Sequence, residues 1–232
     1  MNSQSNSVDN AERWESAMFL YHAALKNVKT KIDILNGEFK YIHNYNPIEH
    51  VKSRIKSPDS IMRKLQKNNH EVNIKNMVQY VHDIAGVRII CSFVSDIYKI
   101  SRMLMLQSDM DIVQVKDYIA QPKPNGYKSL HLIVRVPIYM ASGMVDTKVE
   151  IQIRTIAMDF WASLEHKIHY KFDGQAPEHI AADLKECADI VARLDARMLS
   201  LNDTVQNANR ERQISFSGFF VNTEGGSSDE EE

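Results

Sequence analysis

The chain has 232 residues, enough for one good-sized domain, and a formal net charge of −2 at pH 7, so it lacks the overall basic footprint of a dedicated nucleic-acid binder. Hydrophobic residues at 44% and charged residues at 25% argue against a disordered chain, and no apolar run approaches the roughly 18 residues of a membrane helix. Cys91 and Cys187 stand far apart, with no CxxC and no Cys/His ligand spacing, which argues against a disulfide framework or a structural zinc.

The opening MNSQSNSVDNAERWES lacks the basic-then-apolar order of a signal peptide, and the expectation is a cytoplasmic protein. Residues 1–10 are expected to be disordered, and residues 11–210 to form a single domain with its core at about 48–170. Residues 211–232, ending in the acidic run Asp229 to Glu232, are expected to be a disordered tail.

From Trp14 the apolar residues Met18, Tyr21, Leu25, Val28, Ile32, Leu35, Phe39 and Ile42 recur at steps of four and three, which predicts a long helix over 14–45, ended by Pro47. Strands are predicted at Val87 to Val94, Leu130 to Val136 and Val149 to Ile153, and shorter helices at Ser60 to Lys67, Ile97 to Gln107 and Ile156 to Tyr170. Leu184, Cys187, Val191, Leu194, Met198, Leu201 and Val205 mark a second long helix over 177–208. Both seams fit packing on the protein's own sheet as well as a contact between subunits. The pattern is an α/β structure, a mixed β-sheet flanked by helices.

Four stretches carry chemistry. In Arg54-Ile55-Lys56-Ser57-Pro58-Asp59-Ser60, Ser57 before Pro58 reads as an N-cap followed by the first helical position. Arg54 and Lys56 then point the same way on extended chain, and Ser60 and Lys64 share a helix face. Cations, a hydroxyl and a helix N-terminus in one place suit a polyphosphate; no glycine-rich phosphate loop is present. Lys52, Arg63 and Lys67 extend the cluster, so an RNA contact and a regulatory role stay open.

In His82-Asp83-Ile84-Ala85-Gly86-Val87-Arg88, Asp83 at a strand mouth is placed to hold Mg²⁺ with phosphate oxygens. The competing reading, the HD pair of a metal phosphohydrolase, needs further His and Asp ligands and finds no HxxxH or second HD pair. In Lys123-Pro124-Asn125-Gly126-Tyr127-Lys128-Ser129-Leu130-His131, period two puts Tyr127, Ser129 and His131 on one face, with Tyr127 able to offer its ring to a base. In Val149-Glu150-Ile151-Gln152-Ile153-Arg154, the apolar residues face the core and Glu150, Gln152 and Arg154 face away. The helix around Phe160 and Trp161 is expected to cover that polar face and bury the Glu150 carboxylate.

DIAGVRIICSF, KDYIAQPKPNGYKSLHL and VEIQIRTIAMDFWASLEHK together resemble the small alarmone synthetases, stand-alone relatives of the synthetase domain of the long RelA/SpoT-type enzymes. The likeness spans about Ile48 to Tyr170. It implies a nucleotidyltransferase-like synthetase fold, and transfer of pyrophosphate from ATP to the 3′-hydroxyl of GDP or GTP with Mg²⁺, by a homotetramer. By that resemblance Arg54, Lys56, Ser60, Lys64 and Arg88 are ATP contacts, and Asp83 is the Mg²⁺ ligand. Tyr127 stacks on guanine, with Lys123, Asn125 and His131 around the acceptor. Glu150 is the catalytic carboxylate, as base or second metal ligand, supported by Gln152 and Arg154. Lys128 stands where relatives often carry Arg or Gln, a departure that bears on acceptor preference.

Overall fold

Alternating apolar and polar residues in the middle of the chain give a sheet, and the computed structural model, which describes residues 2–42, 45–172 and 176–221, has five strands in it. In chain order the elements are α1 (Asn2–Ile42), β1 (Ile48–Ile55), α2 (Pro58–Lys67), α3 (Ile74–Tyr80), β2 (Ala85–Cys91), α4 (Val94–Met105), β3 (Asp111–Asp117), β4 (Leu130–Met140), β5 (Gly143–Thr155), α5 (Ile156–Lys171) and α6 (Glu178–Val221). The strands lie in the order β1-β2-β5-β4-β3. β2 and β5 run parallel and the other neighbours antiparallel, so the sheet is mixed, as expected. A parallel pair needs a long crossover, and α4, β3 and β4 supply it.

One face of the sheet is apolar. Val87 and Ile89 of β2, Leu132 and Val134 of β4, and Val149, Ile151 and Ile153 of β5 share a core cluster with Val28 and Ile32 of α1 and Ile97 and Ile100 of α4. Tyr21, Val28, Ile32 and Phe39 are buried there, so the α1 seam packs on the chain's own sheet. The α6 seam behaves differently: Leu194, Met198, Leu201 and Val205 lie about half exposed. Among the described residues, no helix is long and apolar enough to cross a membrane.

Several boundaries differ from the sequence reading. α1 begins at Asn2 instead of near 14, carrying helix through residues expected to be disordered; no Pro or Gly interrupts that stretch. α6 runs past 208 to Val221, so the backbone of 211–221, assigned to the tail, is helical, and 222–232 lie outside the described residues. β2 ends at Cys91, not Val94, because the Asp96 carboxylate accepts from the Phe93 amide at 3.2 Å and closes a turn that starts α4 at Val94. Three elements were not predicted: β1, of which only extended chain at Arg54 and Lys56 was read, β3 and α3. β3 is an edge strand with Val113 and Val115 exposed and an irregularity between Ile112 and Gln114 that breaks its alternation. α3 has only seven residues and buries Met77 alone, so it has no period to read; Asn73 caps it, accepting from the Asn76 amide at 2.8 Å.

Ile32→Ala, at a fully buried site, should cost ~2–5 kcal/mol in urea unfolding. The same truncation at Leu194 should cost under ~1 kcal/mol in the isolated chain; equal losses would mean that the α6 seam is buried as well.

Candidate active site

The opposite face of the sheet carries the polar members of the same alternation. Strand register sets Arg54, Gly86 and Glu150 abreast on β1, β2 and β5. The next rung puts Lys52, Arg88, Gln152, His131 and Lys116 in one row across all five strands. Because Gly86 has no side chain, the first rung has a gap; a Cβ there would meet nothing nearer than 3.9 Å. That gap opens into a cavity of about 280 Å³ whose walls include Lys52, Arg54, Asp83, Arg88, Glu150 and Gln152. The two carboxylates singled out from the sequence therefore face one space.

Asp83 sits in the turn before β2. Its carboxylate accepts from Lys56 Nζ at 2.5 Å and from Lys64 Nζ at 2.7 Å. Lys64 is brought there by α2, whose start follows the sequence expectation: Pro58 is the first helical residue and Ser57 Oγ accepts from the Ser60 amide at 3.4 Å. Burial pushes the Asp83 pKa up, but the two ammonium groups outweigh it and hold the carboxyl below its ordinary value. A depressed native pKa stabilises the fold above the unfolded value of ~3.9, and that contribution is lost as acid titrates Asp83. Arg54, Lys56 and Lys64 thus gather around Asp83 and the cavity. Ser60 does not join them: its hydroxyl accepts from Ser57 Oγ at 2.9 Å and Arg63 Nη2 at 3.4 Å, both at the helix start.

Glu150 belongs to a ring of side chains. Arg154 Nη2 donates to Tyr127 Oη at 2.5 Å and to Gln152 Oε1 at 3.0 Å. Tyr127 Oη lies 2.8 Å from His131 Nε2, His131 Nδ1 lies 3.2 Å from Glu150 Oε1, and Gln152 Nε2 donates to Glu150 Oε2 at 2.8 Å. A guanidinium can only donate, so the Tyr127 hydroxyl keeps its proton for His131 Nε2, which leaves Nδ1–H to face the carboxylate. Both arms of the ring therefore donate toward Glu150. Burial pushes its pKa up, but His131 and Gln152 bring it below the ordinary carboxylate value, so it is ionised at neutral pH.

The Tyr127 ring has the Arg154 guanidinium and Lys123 Nζ each 5.0 Å from its centroid, and Tyr118 edge-on at 6.0 Å. Asn125 shapes the loop: its Oδ1 accepts from the Tyr127 amide at 3.2 Å and its Nδ2 donates to Glu165 at 3.3 Å. Gly126 has φ +87°, and a Cβ there would lie 2.5 Å from that of Ala188, so the loop rests directly on α6.

α5 meets the polar face of β2 and β5 with a residue other than the expected one. Phe160 is exposed, and α5 instead delivers Asp159, which is buried and ion-paired with Arg88 at 3.0 Å and Arg154 at 3.2 Å. Sequence reasoning missed Asp159; its only signal was an acid in the first turn of the helix that follows Arg154. Tyr118 was missed as well, and Lys52, read only as part of the basic cluster, lies on the cavity wall. Lys128 points away from Tyr127 and His131, lining a separate small pocket with Asp195 and Trp161.

Two carboxylates on a cavity that also carries Lys52, Arg54 and Arg88 suit Mg²⁺ bound jointly with phosphate oxygens. Among the described residues no group of three or more His, Cys, Asp or Glu could hold a metal alone, which leaves the HD-type reading of His82 and Asp83 without its ligand set.

A mixed sheet that sets Asp83 and Glu150 with Lys52, Arg54 and Arg88 around one cavity suits a protein that binds phosphate-bearing ligands. Residues 53–175 match the region found in RelA / SpoT proteins, and the chain belongs to that family. GTP pyrophosphokinase YwaC of Bacillus subtilis (strain 168) is 50% identical over 194 residues, covering 84% of this chain and 92% of that protein. The crystal structure of small alarmone synthetase 2 from Bacillus subtilis superposes with TM-score 0.75 at 48% identity, covering 82% and 98% of the two chains. Small alarmone synthetase 1 from the same organism, bound to its product pppGpp, gives TM-score 0.80 at 36% identity over 84% and 99%.

Filling the gap on the first rung tests the cavity. Gly86→Val, a residue type that strands accept, should leave the unliganded melting temperature within a few degrees. It should abolish the stabilisation that a nucleoside triphosphate gives the wild type, ~2.7 kcal/mol at a hundred times Kd.

Proposed function

We infer that this chain is a GTP pyrophosphokinase, a small alarmone synthetase: it transfers pyrophosphate from ATP to the 3′-hydroxyl of GDP or GTP, giving AMP and ppGpp or pppGpp. The observation that carries the reading is the single cavity that sets the ionised Glu150 carboxylate opposite the cationic walls around Asp83.

In the mechanism we propose, Arg54, Lys56, Lys64 and Arg88 bind the ATP phosphates, Lys56 and Lys64 exchanging part of their pairing with Asp83 for phosphate oxygens. The acceptor's 3′-oxygen attacks the β-phosphorus in line. The new bond joins that oxygen to phosphorus, the bond from the β-phosphorus to the α,β-bridging oxygen breaks, and AMP leaves with the electron pair. Glu150 takes the hydroxyl proton, and His131 and Gln152 keep its oxygens oriented. Tyr127 stacks on guanine, and Lys123 and Asn125 border the acceptor. Asp83 would hold Mg²⁺, which would supply charge neutralisation on the transferring phosphates; a second metal ligand is the alternative role for Glu150 to that of base. Ser60, engaged at its helix start, has the weakest support among the ATP contacts.

The exposed α6 seam supports a homo-oligomer, a tetramer by family resemblance, and the substrates point to the cytoplasm. An RNA contact has less support, because Lys56 and Lys64 are turned onto Asp83.

Purified protein with Mg²⁺, ATP and GDP or GTP should yield AMP and a 3′-pyrophosphorylated guanine nucleotide; inorganic phosphate as the main product would sink the assignment. Glu150→Gln should lower kcat ~10²–10⁴-fold with ATP affinity retained, a defect that extra Mg²⁺ does not repair. Asp83→Asn should be partly rescued by raised Mg²⁺. Rescue of both variants would make Glu150 a metal ligand and not the base.

A further inference from the structure

We propose that Asp159 is a positioning residue that couples the two nucleotide subsites, by fixing Arg88 and Arg154 against a single carboxylate oxygen. The proposal rests on the reading above, in which Arg88 serves ATP and Arg154 the acceptor side. Asp159 Oδ1 accepts from Arg88 Nη1 at 3.0 Å and from Arg154 Nη1 at 3.2 Å. Two guanidinium groups this close repel each other, and the oxygen between them sets their separation.

Each arginine leads in a different direction. Arg88 lies on the cavity wall, and its Nε is buried with no partner among the described residues. Arg154 bonds to Tyr127, Gln152 and Ser129. Asp159 itself is not among the described walls of the cavity, so its influence passes through the two arginines.

The oxygen is rigidly placed. α5 starts directly after β5, the Met158 amide is held by Thr155 Oγ1 at 3.1 Å, and Trp161 Nε1 donates to the Leu184 carbonyl at 2.8 Å. Removing the charge lets both arginines move, one away from each substrate. A misplacement of about 1 Å at a positioning group costs up to about a hundredfold in rate.

A kinetic double-mutant cycle tests this, reading KM because it does not depend on the fraction of folded enzyme. Asp159→Asn should raise KM for ATP and for GTP by about tenfold or more each. In an Arg88→Gln background the same change should raise KM for GTP only, because the ATP-side arm is already gone. Equal effects on both KM values in the two backgrounds, or no effect on either KM, would overturn the proposal. Should Asp159→Asn fail to fold, Asp159→Glu keeps the charge and shifts the oxygen, and the same pattern is required of it. The wild type is assayed in parallel for the 3′-pyrophosphorylated product. Its absence overturns the functional reading and the proposal together, whereas an active wild type with an additive cycle overturns the proposal alone.

Discussion

The pairing of β5 with β2 on one side and β4 on the other is the constraint on which the site depends. Side chains alternate strictly along a strand, so slipping β5 by one residue would exchange its faces. Val149, Ile151 and Ile153 are fully buried in the core. A slip would put Glu150, Gln152 and Arg154 there in their place, with no partners for their polar atoms, at a cost of several kcal/mol each. The hydrophobic pattern that folds the sheet therefore also sets Glu150 beside Gly86 and Gln152 between Arg88 and His131.

Charge on the polar face is arranged on a second rule. Each carboxylate serves more than one donor: Asp83 takes Lys56 and Lys64, Asp159 takes Arg88 and Arg154, and Glu150 takes His131 and Gln152. Removing two ions from water is expensive unless their remaining hydrogen bonds are met, and sharing meets them while leaving cations in excess. Arg54 and Lys52 add to that excess on the cavity wall. Burial pulls the Arg154 pKa down, and the nearby Arg88 charge adds to that pull, opposed by Tyr127 and Asp159. The site is thus electrostatically incomplete by itself and suited to a polyanion, the character that a nucleoside triphosphate supplies.

Much of this was legible in the sequence because it follows from period and spacing. The alternation of β5, the Ser57-Pro58 helix start and the shared face of Tyr127 and His131 are local properties, and all three stand in the fold. What could not be read was contact between distant segments. Asp159 gains its meaning from Arg88, 71 residues away in sequence. Nor does periodicity say what covers a seam. The apolar steps of α1 and α6 look alike, yet one packs on the sheet and the other faces outward.

That difference gives α6 two tasks along its length. Its first turns back the loop that carries Tyr127: Ala188 lies under Gly126, the Leu184 carbonyl accepts from Trp161, and Asp195 accepts from Thr155 Oγ1 at 2.6 Å. Burial raises the Asp195 pKa, while Thr155 and the Lys128 charge pull it back. Lys128 therefore faces the helix, and a change there acts on how α6 seats against the loop before it acts on any acceptor group. Beyond Asp195 the apolar residues Met198, Leu201 and Val205 face outward. Helices are stiff along their axis, so a change in the tilt of that outer stretch would carry to the inner stretch that meets Gly126. Because Gly126 leaves no room for a side chain against Ala188, the loop has little freedom to absorb such a shift, and the Tyr127 ring would move with the helix.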